Sequence, residues 1–142
     1  MPEIKGGCLC GAVRYTASAE LALVGVCHCR DCQKFTGSAF GFFIGVPRSA
    51  FEIQGASKRF TKLGDSGSPI VRRFCPECGS SVVEEPPGRP DLAIINAGTF
   101  GRPERGDTHD GDLLRPGATL GAVGWNAALS QDARLTVQSF AI

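Results

Sequence analysis

The chain has 142 residues, 42% of them hydrophobic, and a net charge of +1. That length fits one domain of ordinary size with a small core, to whose stability bound metal would matter. Charges of both signs are interspersed with no Lys or Arg run, which excludes a phosphate-neutralising nucleic-acid face.

In chain order, the N-terminus through Gly7 lacks the apolar region of a signal peptide, and no stretch approaches the roughly 18 apolar residues of a bilayer span. A cytoplasmic location without a membrane partner is therefore expected. Residues 12–17 alternate as a half-buried strand does, and 21–26 form an apolar run that leads into Cys27. Residues 30–35 predict at most one helical turn, ended by Gly37. Residues 40–46 are aromatic and β-branched between Gly and Pro, a buried-strand pattern, and further strands are expected at 51–54, 59–61, 70–74, 81–84 and 92–96. The proline-rich stretch 85–90 cannot pair in a sheet. With 19 Gly and 9 Pro as punctuation, the expected fold is mainly β.

The 7 cysteines fall into a Cys8/Cys10 pair, a Cys27/Cys29/Cys32 group and a Cys75/Cys78 pair. Close pairs and an odd count in a reducing compartment read as metal ligands rather than disulfides. Zinc takes four thiolates in a closed structural site and three protein ligands in a catalytic one. Cys8, Cys10, Cys75 and Cys78 make the first kind, with Gly6–Gly7 and Gly79 allowing tight turns. Cys27, Cys29 and Cys32 make the second, because i and i+2 of an extended segment face one side while His28 points away. A thiol bound at the open position would be deprotonated. The bland alternative is a second closed site completed by His28, Asp31 or His109. Lys34, Thr36, Ser38 and Phe40 are candidate pocket residues, or only the lead into the next strand. Arg72 and Arg73 are expected mostly at solvated surface, Asn96 to Thr99 in a structural turn, and Trp125 carries no signal by itself.

Gly6 to Tyr15, Cys27 to Phe40 and Phe74 to Ser80 together strongly resemble the glutathione-dependent formaldehyde-activating enzyme family, which includes centromere protein V. The resemblance runs from about Gly6 to Thr99. It implies a β-tent of antiparallel sheets stapled by zinc, with Zn²⁺ at two sites: a structural one on Cys8, Cys10, Cys75 and Cys78, and a catalytic one on Cys27, Cys29 and Cys32. It also implies a carbon–sulfur lyase or synthase that joins formaldehyde to the thiol of glutathione, its small-molecule partner. Glutathione-binding residues are not recognisable in the sequence.

From about Gly101 the likeness stops. Residues 6–107 are expected as the zinc-binding domain and 108–142 as an atypical tail. The codons available for Thr108 onward, read one base later, permit a string that resembles the tail of short family members, which suggests a frameshift between about Phe100 and Thr108. The alternative is a divergent tail whose residues 134–140 form a last strand. A non-catalytic zinc-stabilised binding module of the same fold is the second functional reading. A methionine sulfoxide reductase is excluded, since it needs a redox Cys outside the knuckles and none follows Cys78.

Overall fold

The computed structural model describes residues 2–86 and 88–101 and, beyond them, the backbone of 119–120, 123–124 and 138–139. Strands dominate: β1 (Glu3–Gly7), β2 (Arg14–Ser18), β3 (Leu23–Cys27), β4 (Gly41–Pro47), β5 (Phe51–Gln54), β6 (Lys58–Leu63), β7 (Pro69–Phe74), β8 (Ser81–Glu85) and β9 (Leu92–Asn96), with one helix, α1 (Arg30–Thr36), between β3 and β4. Three short strands follow, β10 (Thr119–Leu120), β11 (Val123–Gly124) and β12 (Gln138–Ser139). The Trp125 and His109 positions and most of the tail, with its frameshift reading, lie outside the described residues.

One sheet has the order β1-β2-β5; a larger one runs β12-β3-β4-β9-β8-β7-β6. Pairing is antiparallel, as expected, except where β12 lies parallel to β3.

Alternation along a strand sends successive side chains to opposite faces. Val46 and Ala93, and Val83 and Ile95, are cross-strand partners on one face of the large sheet. They pack against Ile4, Val13, Tyr15, Ala17 and Phe51 of the small sheet and its connections, which forms the main core. On the other face Phe43, Leu92 and Ile94 pack with Cys27 and Cys32. The two cysteine groups thus sit with different cores.

Five sequence expectations need correction, the first being that 85–90 cannot pair, since Glu85 ends β8 opposite Val71. Residues 3–7, given no element from the sequence, form β1 and pair with β2 throughout. Gly6 is there because a Cβ would come 2.3 Å from both the Thr99 carbonyl oxygen and the Tyr15 hydroxyl. The turn glycine of the first knuckle is instead Gly11, with φ at 88°. The helix is longer than one turn, since Cys29 caps its start by accepting from the Cys32 amide and Gly37 closes its end in the left-handed region. Arg72 and Arg73 are buried rather than solvated, because β7 lies inside the sheet between β6 and β8.

Candidate metal centres

Two turns build the four-thiol group. In the first, the Cys8 amide donates to the Val13 carbonyl, and the Val13 amide donates back to Cys8 Sγ at 3.2 Å. In the second, the Cys75 amide donates to the Ser80 carbonyl and the Gly79 amide to that of Cys75, with Gly79 at φ 75°. A bond from the Leu9 amide to Ser80 Oγ joins the two turns. The sulfurs of Cys8, Cys10, Cys75 and Cys78 all lie within 4.8 Å of one another.

Sulfur spacing tests whether the group suits a metal. Cys8 Sγ is 3.6 Å from Cys10 Sγ, which is 3.7 Å from Cys75 Sγ. Thiolates at about 2.3 Å from a tetrahedral zinc sit roughly 3.8 Å apart, so the spacing fits. Electrostatics points the same way. The Ser80 hydroxyl, bonded to Cys78 Sγ at 3.2 Å, draws that thiol down to about 5. The Ala12 amide pulls Cys10 down too, but the adjacent Cys8 thiol, burial, and then Cys78 and Cys75 carry it up to about 12. Four sulfurs this close cannot all ionise without a cation among them.

The second group joins the end of β3 to α1. Its three sulfurs, from Cys27, Cys29 and Cys32, again lie within 4.8 Å of one another. Among the described residues no His, Asp or Glu atom shares that space. Cys27 and Cys32 are buried and Cys29 is half-buried, so Cys29 is the most exposed of the three. Burial, and next the charge of Glu84, push the Cys32 thiol well above its ordinary value.

Of the candidate fourth ligands, the two among the described residues, His28 and Asp31, are engaged elsewhere. His28 is exposed and stacks on Phe40 with ring centroids 5.5 Å apart, as its position between two inward cysteines requires. Asp31 pairs with Lys62 of β6, whose hydrogen bond holds its carboxyl below the usual carboxylate range. Of the candidate pocket residues, Thr36 donates to the Cys32 carbonyl, while Lys34, Ser38 and Phe40 are exposed beside the helix.

Sequence reasoning missed Glu84. It is buried, opposite Arg72 in the β7–β8 register, with Arg72 Nε 3.6 Å from its Oε1. A carboxylate in a valine-rich strand, two strands' length from an Arg pair, was the available signal.

With this geometry in hand, comparison with known proteins decides the family. The model of the family described as glutathione-dependent formaldehyde-activating enzyme matches residues 3–110. The chain belongs to that family. A relative from Schizosaccharomyces pombe, named as an uncharacterized lyase, is 31% identical over 101 residues, 70% of each chain. A relative from Emericella nidulans, named "Putative glutathione-dependent formaldehyde-activating enzyme", is 30% identical over 83 residues, which is 55% of this chain and 42% of that one. In fold, the chain is similar to the crystal structure of a Rhodobacter sphaeroides protein, with a TM-score of 0.52 and 22% identity over 78% of this chain and 95% of that one.

Proposed function

We propose that the protein is a zinc-dependent carbon–sulfur lyase or synthase of the formaldehyde-activating type, acting on a thiol adduct such as that of glutathione. The observation that carries this reading is the three-thiol group, where no fourth His, Asp or Glu donor joins Cys27, Cys29 and Cys32 among the described residues. In this reading Cys8, Cys10, Cys75 and Cys78 hold a structural zinc and the other three hold the catalytic one. The names of the two fungal relatives support the reaction class. Residues 6–107 form the zinc domain, 108–142 an atypical tail, and the reducing cytoplasm suits seven cysteines that form no disulfide.

Zinc held by Cys27, Cys29 and Cys32 would supply Lewis acidity and favour the ionised form of a substrate thiol at neutral pH. The chain does the rest. Cys27 and Cys32, at the sheet and helix ends, are fixed by burial; the Cys32 amide bonds to Cys29 Sγ at 3.4 Å and so orients the half-exposed ligand. Substrate enters on the Cys29 side. In the synthetic direction the substrate sulfur forms the new S–C bond to formaldehyde, the C=O π bond breaks, and the thiol proton ends on the product hydroxyl. No electrons are lost or gained overall.

The test is NMR of adduct formation from glutathione and formaldehyde, with metal-loaded protein, without protein, and with Cys29→Ser. Faster exchange between free and adduct forms only with the native protein is expected. Equal rates in all three would remove the activity, and the non-catalytic binding module would take its place.

A further inference from the structure

Glu84 has 0% of its surface exposed and Arg72 3%, yet their side chains make a poor pair. The 3.6 Å between Arg72 Nε and Glu84 Oε1 is long for a hydrogen bond. Neither Nε nor either carboxylate oxygen has a hydrogen-bond partner among the described residues. Burying a charge without hydrogen bonds is costly, and apolar groups of similar volume would serve stability as well or better. A stabilising role therefore does not explain the pair.

Its position does. Glu84 is the cross-strand partner of Ile94, which packs with Cys27 and Cys32. On the other side, the Arg72 guanidinium lies 5.5 Å over the ring of Phe35 in α1, whose carbonyl accepts from Ser81 of β8. The carboxylate therefore lies on the sheet face that α1 covers, behind the helix that presents Cys32.

We propose that Glu84 is a positioning residue of the three-thiol site, a buried negative charge that weakens the hold on a fourth, anionic ligand and keeps that position exchangeable. The inference rests on the open-site reading above. Three thiolates around a divalent cation carry a net charge of about −1, and a fourth takes it to about −2. A carboxylate nearby opposes that last step. The bound thiolate is then released readily, or stays reactive towards an electrophilic carbon. Glu84 does this through its charge, without touching substrate.

The experiment uses the full chain loaded with cobalt(II), whose thiolate charge-transfer absorption reports on sulfur ligands. Burial holds the Glu84 carboxyl up to about 7, so work at pH 8 keeps it charged. Titration with 2-mercaptoethanol, which brings no charge besides its sulfur, compares the native protein with Glu84→Gln and with the double variant Arg72→Leu/Glu84→Leu. Glu84→Gln is expected to bind the added thiol roughly three- to tenfold more tightly, and the double variant, which loses the Arg72 cation as well, more tightly than the native protein by a smaller factor. The double variant replaces the pair by apolar groups, so it answers should Glu84→Gln fail to fold around an unpaired Arg72. The closed four-thiol group acts as an internal reference. Equal or weaker binding in the folded variants, with the native protein responding, overturns the role of Glu84 and leaves the open site standing. No response in the native protein removes the open site and this proposal together.

Discussion

At the scale of single residues, Glu84 also links stability to pH. In an unfolded chain its carboxyl has the ordinary value of 4.5; burial, partly offset by Arg72, raises it to about 7 in the fold. The folded state then binds the proton more tightly, so the contribution to stability is full below about 4.5 and declines as pH rises towards 7. The native protein, measured against Glu84→Gln by urea unfolding from pH 5 to 8, should lose stability with rising pH by at most about 3 kcal/mol. A difference that stays flat across that range would show that Arg72 fully compensates the charge. Two glycines give a second contrast. Gly6→Ala drives a Cβ into the Thr99 carbonyl and Tyr15 and should cost about 1–3 kcal/mol, as overpacking does. Gly79 has open space around it but a φ of 75°, so Gly79→Ala should cost about 1 kcal/mol, from the backbone alone. Thermal or urea unfolding of metal-loaded variants checks both.

At the scale of elements, α1 depends most on its surroundings. A helix of seven residues is too short to persist by its own propensity. It is held by Cys29 at the cap, by Ser81 on the Phe35 carbonyl, by Arg72 on the Phe35 ring and by the Asp31–Lys62 pair. Two of its residues or caps are metal-ligand candidates, so metal removal should loosen it first. Hydrogen exchange after mild chelation should therefore speed up in residues 30–36 while β8 and β9 stay protected. Equal loss in both would show that the helix and the sheet open as one unit. What the sequence revealed divides along the same line. The cysteine partition was legible, because ligand spacing within each knuckle is local. Strands β4, β5 and β9 were legible from their apolar content between turn residues. β1 was not, since Gly6 and Gly7 imitate a turn until the approach of Tyr15 and Thr99 is known. Nor was the Arg72–Glu84 pair, which depends on the register of β7 against β8 and on the irregularity beside Phe74. Burial of a charged strand residue follows from where its strand lies in the sheet, and sequence periodicity does not fix that order.

At the scale of the whole molecule, the two thiol groups should fail differently. The four-thiol group ties the turn between β1 and β2 to the turn between β7 and β8, which are strands of different sheets. Its loop spans 65 residues from Cys10 to Cys75, and Cys8 and Cys75 are part of the core between the sheets. In the proposed reading, a zinc held there would express its affinity as folding free energy, about 10–16 kcal/mol in small zinc peptides. Losing one ligand leaves only part of that free energy, and it exposes three crowded thiols to mutual repulsion. Cys75→Ser should therefore lower stability by roughly 3 kcal/mol or more and release metal from its site on mild heating. The three-thiol group instead bridges β3 to the adjacent α1, so it closes only a short loop, and Cys29 is half-exposed. Loop-closure entropy is small for so short a span. Cys29→Ser should lose one equivalent of metal and the thiol response of the open site, with global unfolding shifted by about 1 kcal/mol or less. Metal stoichiometry measured together with thermal unfolding separates the cases. Equal destabilisation by the two substitutions would mean that both groups staple the fold, and the division between a structural and a working metal would be lost.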